Sequence, residues 1–301
     1  MARVGTTARV SSTSGVPFQR FSDQLAGVPT DDTLFEGMPP HIEVPLREWI
    51  AESMYDQLAL RVCLRLKYSR SSPNDVAARA NSGELLDVVA AMLWGGLKTY
   101  RRITNGRYGG SVTPSSQLAR LSTILNDGGS AYRVRDDKRG LERRTDAVVA
   151  ASAKRVIDAT KASGRDKAAQ FLRDAWTSTY GLHPEPGDAY ADAVRAVEEV
   201  SIPLLLPRAS APTLGAVRSI LDQGRANYEL VIADKDAKPA SIDMVVGMIS
   251  TLWFGHRDRH AGHPTSIPIT QESAEMALHT AITLVHYFNS GAIRRAGGAT
   301  L

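Results

Sequence analysis

Gln271-Glu272-Ser273-Ala274-Glu275-Met276-Ala277-Leu278-His279-Thr280-Ala281-Ile282-Thr283-Leu284-Val285-His286-Tyr287-Phe288-Asn289-Ser290 is the stretch that decides the fold class. Ala274, Leu278, Ala281, Val285 and Phe288 recur in it at alternating spacings of 4 and 3, flanked by Ala277, Ile282 and Leu284. That period is helical and builds one apolar face. Thr270 before it and Glu272 in its first turn supply the chemistry that opens a helix. The face is built to pack on other helices or on a partner subunit, which is a first reason to expect a homodimer. A helix lying on a membrane surface would carry a lysine-rich opposite side, and this one does not.

Working outward, the same pattern recurs. Helices are predicted at residues 166–180, 188–202, 214–221 and 242–253, several opened by Asp188 after Pro186-Gly187, Thr213 after Pro212, or Ser241 followed by Asp243. Further upstream, 146–161 is helical, and Ala131-Tyr132-Arg133-Val134-Arg135 alternates like a strand before a turn at Asp136-Asp137-Lys138-Arg139-Gly140 into Leu141-Glu142-Arg143-Arg144. Leu118 to Leu125 reads as a short helix, Asn105-Gly106 with Gly109-Gly110 as a loop, and Gly83 to Trp94 as a helix. Apolar residues at Leu46, Ile50, Met54, Leu58, Val62 and Leu66 predict one helix of about 20 residues. Residues 1–36 are rich in Ser, Thr and Gly without apolar period and read as a disordered arm. The expected fold is therefore all-α, mainly helical with one small β-hairpin. It divides into the arm, an N-terminal helical region at 37–130, a hairpin and connecting helix at 131–164, and a C-terminal helical domain at 165–301.

Composition narrows the function classes. A chain of 301 residues with 43% hydrophobic content can bury a core. A lone cysteine, Cys63, excludes a disulfide framework or a cysteine-built zinc site within one chain and reads as a small buried apolar residue. No apolar run reaches the roughly 20 residues that span a bilayer, and Met1 to Gly15 lacks a signal-peptide core, so a cytoplasmic protein without a membrane partner is expected. A net charge of +4 is only mildly basic, which leaves any nucleic-acid contact to local patches. Serine-nucleophile, phosphate-loop and dinucleotide patterns are absent: Gly109-Gly110-Ser111 and Gly128-Gly129-Ser130 are turn chemistry alone.

The chemistry concentrates in His256-Arg257-Asp258-Arg259-His260-Ala261-Gly262-His263, where five permanent or potential cations share eight residues with one carboxylate. Mutual repulsion pushes the imidazoles towards neutrality while Asp258 opposes it. Such groups can move protons at physiological pH, and an adjacent guanidinium can hold a phosphate. The plainer alternative is a solvated cationic loop at a helix C-terminus. A metal site on His256, His260 and His263 is disfavoured by the interspersed guanidiniums, so neither metal nor cofactor is expected. Arg133, Arg135, Arg139, Arg143 and Arg144 form a second basic patch, a candidate nucleic-acid contact diluted by Asp136, Asp137 and Glu142. His279 and His286, seven apart, read as packed or surface histidines.

One resemblance ties these together. Leu172-Arg173-Asp174-Ala175-Trp176, Tyr180-Gly181, Asp188 to Glu198, Thr213-Leu214-Gly215, Asp258-Arg259-His260 and Ala277-Leu278-His279-Thr280-Ala281, in that order, make residues 165–297 resemble the abortive-infection C-terminal proteins of actinobacteria and their phages. Those proteins are similar to the HEPN superfamily of helical RNA-binding and RNA-cleaving domains. The resemblance implies a HEPN-like helical bundle and a metal-independent endoribonuclease of phage defence or prophage exclusion. It also implies a homodimer and an RNA or phage-protein partner. The superfamily's arginine, polar residue and spaced histidine match Arg257, Asp258 and His263. The Asp-Arg-His of the closer relatives matches Asp258, Arg259 and His260, with Ala261 where a glycine stands. The implied roles are a neutral His263 or His260 activating a ribose 2′-OH and Arg257 or Arg259 stabilising the scissile phosphate. The alternative is a non-catalytic HEPN-like module that binds nucleic acid or a phage protein and dimerises.

Overall fold

The computed structural model describes residues 21–27, 34–69, 72–104, 107–257 and 268–301. The protein is mainly helical with small antiparallel strand pairs, and it divides into two compact units at Ala147 and Val148. No helix among the described residues is long and apolar enough to cross a membrane.

The first unit begins with a short helix α1 (Phe21–Leu25). Helix α2 (Pro40–Ser53) follows, starting on a proline whose missing N–H costs nothing in a first turn. Helix α3 (Asp56–Leu66) comes next. The single helix predicted from Leu46 to Leu66 is thus broken. Met54 and Tyr55 take extended backbone conformations, with ψ of 134° and 161°. The period misled because the burial phase survives the break: Leu46, Ile50, Leu58 and Val62 are at most 1% exposed and Met54 is 7% exposed. Helix α4 (Pro73–Arg79) is capped by Ser72, whose hydroxyl accepts from the Asp75 N–H at 3.1 Å. Helix α5 (Leu85–Gly95) buries Leu85, Val88, Val89 and Met92.

Strands β1 (Tyr100–Thr104) and β2 (Arg107–Val112) pair antiparallel, and Asn105-Gly106 of the expected loop lies outside the described residues. Helix α6 (Pro114–Asp127) is longer than expected at both ends. Thr113 and Ser116 form a reciprocal capping box, and Pro114 opens the first turn. The predicted hairpin appears as β3 (Tyr132–Val134) and β4 (Leu141–Arg143). Phe35 and Glu36, read as the end of the arm, are docked: Phe35 makes backbone hydrogen bonds to Gly129 and Ala131 at 2.8 Å, and Glu36 pairs with Arg143 at 2.8 Å. Trp49, Leu46, Ile50, Leu85, Met92, Leu121 and Leu125 form the core of this unit.

The second unit is a helical bundle. It comprises α7 (Ala147–Ala162), α8 (Asp166–Tyr180), α9 (Pro186–Leu205), α10 (Leu214–Gln223), α11 (Asp243–Arg257) and α12 (Gln271–Ser290). Strand β5 (Tyr228–Leu230) pairs with β6 (Ile293–Arg295), which pairs with β7 (Ala299–Thr300). Two or three residues per strand are too few to leave a period in the sequence. Every residue of the predicted α12 stripe is buried, with Ala274, Leu278, Ala281, Val285 and Leu284 fully so. α8, α9 and α11 pack against α12 within the same chain. The stripe is therefore no free dimer face, and that part of the homodimer expectation loses its footing.

Several buried polar contacts fix the bundle. α10 starts without a hydroxyl cap from Thr213; instead Glu198 of α9 accepts from the Leu214 N–H at 2.6 Å. Burial raises the Glu198 carboxyl above its ordinary value, opposed by the Leu214 hydrogen bond and by Arg195. Asn289 Nδ2 donates to Thr160 Oγ1 at 2.8 Å, tying α12 to α7.

Candidate functional site

Of the residues expected to carry catalysis, Arg257 is the last residue of α11, one turn beyond where the sequence reading ends that helix. Asp258, Arg259, His260 and His263 lie outside the described residues. What the fold does supply is the two helices they join. The α11 end is seated on α9 by a close approach: the Tyr190 hydroxyl donates to the Thr251 and Leu252 carbonyls at 3.3 and 3.2 Å, and a β-carbon on Gly255 would run into that hydroxyl. The α12 start is closed by Thr270, whose hydroxyl accepts from the Ser273 N–H at 3.2 Å. Gln271 Nε2 then donates to the Thr179 carbonyl at 2.8 Å and to Glu275 Oε1 at 3.0 Å.

His279, two turns further on, is half-buried in an aromatic setting. Tyr180 Oη lies 2.9 Å from its Nε2, and Trp176 meets it edge-on with ring centroids 6.3 Å apart. Burial lowers its pKa, with Glu275 opposing, so the ring is mainly neutral at pH 7. His286 is exposed. The pair therefore does not share one environment, and His279 is a packed histidine held by a tyrosine.

The hairpin patch is largely self-neutralised. Arg133 pairs with Glu142 at 2.7 Å, Arg135 with Asp137 at 2.8 Å and Arg143 with Glu36 at 2.8 Å. Arg144 donates from Nε to the Ser130 carbonyl at 2.9 Å and from its other end to Asn126, and burial lowers its pKa. Arg139 is exposed. Four of the five candidate phosphate contacts already have acceptors, so each would have to exchange one for a phosphate.

A cationic and aromatic face that the sequence reading missed lies on α3 and α5. The Arg65 guanidinium sits over the Trp94 ring at 5.0 Å, and Lys98 Nζ over the Tyr55 ring at 4.8 Å. Arg61 donates to the Gly95 carbonyl at 2.9 Å. Leu64 and Trp94 are 71% and 53% exposed. No carboxylate among the described residues pairs with Arg61, Arg65 or Lys98. A signal for this face was present: Leu60 and Leu64 fall out of phase with the buried Leu58 and Val62, beside Arg61 and Arg65. Cys63, by contrast, is buried as expected, and burial raises its thiol pKa.

Comparison with protein-family models, with curated proteins and with solved structures finds no match to this chain.

Proposed function

We propose that this protein acts on RNA, as a metal-independent endoribonuclease of phage defence or prophage exclusion. The observation that carries the RNA reading is the exposed Trp94 ring and the half-buried Tyr55 ring, each under a cation with no carboxylate partner among the described residues. Bases stack on exposed aromatic rings, unpaired cations attract the phosphate backbone, and neither contact requires a particular sequence. Cleavage is assigned to residues 257–263, which the resemblance matches to a nuclease pattern and which join α11 to α12. There a neutral His263 or His260 takes the 2′-OH proton, and Arg257 or Arg259 stabilises the charge developing on the phosphate. A second copy enters this reading as the means of bringing two such segments to one phosphate, through a face other than the α12 stripe.

The test is incubation of the purified chain with total RNA or tRNA in EDTA. Cleavage that disappears in both His260→Ala and His263→Ala supports the assignment. Undiminished cleavage in those variants removes the site, and strict metal dependence overturns the mechanism. Binding without cleavage is the second reading, and one observation favours it: the cations and rings of the Trp94 face lie at residues 55–98, none of which is a candidate catalyst. It predicts salt-sensitive binding with no turnover.

A further inference from the structure

A cleft of about 370 Å³ opens in the first unit between α2, the β1–β2 hairpin and α6, lined among others by Trp49, Glu52, Tyr100, Ser111, Gln117 and Arg120. That volume lies in the range of small-molecule sites. Gln117 is its unusual member. The residue is 3% exposed. Its carbonyl accepts from Trp49 Nε1 at 2.8 Å and its backbone N–H donates to the Thr113 carbonyl at 3.0 Å. Its side-chain Oε1 and Nε2 have no partner among the described residues. A buried primary amide without partners is costly to keep, and a leucine would fill similar volume without that cost. Retaining the amide makes physical sense if something else completes its hydrogen bonds.

We propose that this cleft binds the base of an adenine nucleoside. A carboxamide offers one acceptor and one donor side by side, and adenine offers the complementary pair: its N6 amino group donates to Oε1 and its N7 accepts from Nε2. The part-exposed Tyr100 supplies an aromatic wall for a base, with the buried Trp49 behind the amide. Arg120 stands at the cleft already paired with Glu52 and lies 3.7 Å from Glu48. Its charge is thus spoken for. The occupant is accordingly the uncharged nucleoside, whose 5′-phosphate would gain nothing from Arg120. Nothing in this inference depends on RNA cleavage or on the Trp94 face.

The experiment is thermal denaturation and calorimetric titration of the full chain with adenosine, inosine and AMP. Inosine presents a carbonyl where adenosine presents the N6 amino group, so it mismatches the amide. Adenosine raises the Tm, inosine does not, and AMP binds no more tightly than adenosine. Gln117→Leu leaves the unliganded Tm unchanged or higher and weakens adenosine at least about tenfold, the loss expected when a base-reading amide is removed. Ser111→Phe, at an exposed strand position of the cleft, abolishes binding without changing the fold, and serves if Gln117→Leu does not fold. No response to millimolar adenosine, an equal response to inosine, or adenosine binding that survives in Gln117→Leu or, should that variant not fold, in Ser111→Phe overturns the proposal.

Discussion

Cation–aromatic pairs occur in both units, and they are finished differently. In the second unit, Arg195 over Phe171 and Arg218 over Phe254 are each also held by a carboxylate of their own helix, Asp192 at 2.9 Å and Asp222 at 3.7 Å. In the first unit, Arg65 over Trp94 and Lys98 over Tyr55 have no such anion among the described residues. Buried groups divide less cleanly, since Arg218 Nε of the second unit also has no partner among the described residues. The α12 stripe of the second unit is covered by its own helices, whereas the first unit keeps a buried glutamine amide unpartnered beside a cleft. A charge completed by its own chain stabilises that chain; a charge left open is available to another molecule. The second unit thus completes its cation–aromatic pairs with its own carboxylates, and the first leaves Arg65 and Lys98 without an anion among the described residues.

The largest test of this contrast is Leu278→Ala. The residue is fully buried at the centre of α12, so the substitution should cost about 2–5 kcal/mol. Denaturant unfolding followed by circular dichroism would measure it, and a loss below about 1 kcal/mol would show the second unit to be loosely packed. Trp94→Ala should behave in the opposite way, with stability nearly unchanged and RNA affinity lower by about 1–3 kcal/mol, read by fluorescence anisotropy with a single-stranded oligoribonucleotide. Unchanged affinity would end the case for an open face. Smaller again, Arg61→Gln with Arg65→Gln should lower the slope of log K against log salt by about 1 to 2. An unaltered slope would place the phosphate contacts elsewhere.

The smallest effect concerns pH and the scaffold alone. Glu198 has its carboxyl raised by burial, against the opposing Leu214 hydrogen bond and Arg195. A carboxyl whose folded value exceeds its unfolded one favours the fold while protonated. That contribution is complete below the ordinary carboxylate value and is lost as pH rises through the raised one. Glu198→Gln should keep an acceptor for the Leu214 N–H and flatten the Tm profile across that window. A profile as steep as the native one would move the titration to another group.

What the sequence made legible follows from length and period. α8 and α12 were readable to the residue because fifteen and twenty residues of uninterrupted amphipathic pattern leave one solution. The break at Met54 and Tyr55 was hidden because two helices in succession kept one burial phase. The β1–β2 hairpin was read as a loop although Asn105-Gly106 is strong turn chemistry, since Tyr100-Arg101-Arg102 does not alternate apolar with polar. The cationic face was missed because aromatic and basic residues on separate helices become neighbours only through tertiary packing. Gln117 could not be singled out at all: nothing in Ser115-Ser116-Gln117-Leu118 tells a buried amide from an exposed one.

The seat of Gly255 against the Tyr190 hydroxyl carries a consequence for descent as well as for packing. A glycine codon cannot change its amino acid without adding side-chain atoms, and here any such atom meets a phenol that is itself committed to two carbonyls. Drift at this position should therefore be closed unless the tyrosine shortens in the same lineage. Diverged homologues of this chain should keep glycine opposite tyrosine, or trade both together for a side chain opposite a small residue. That coupled pair would mark where α11 ends and which residues follow it, even where the cationic stretch itself has changed beyond alignment.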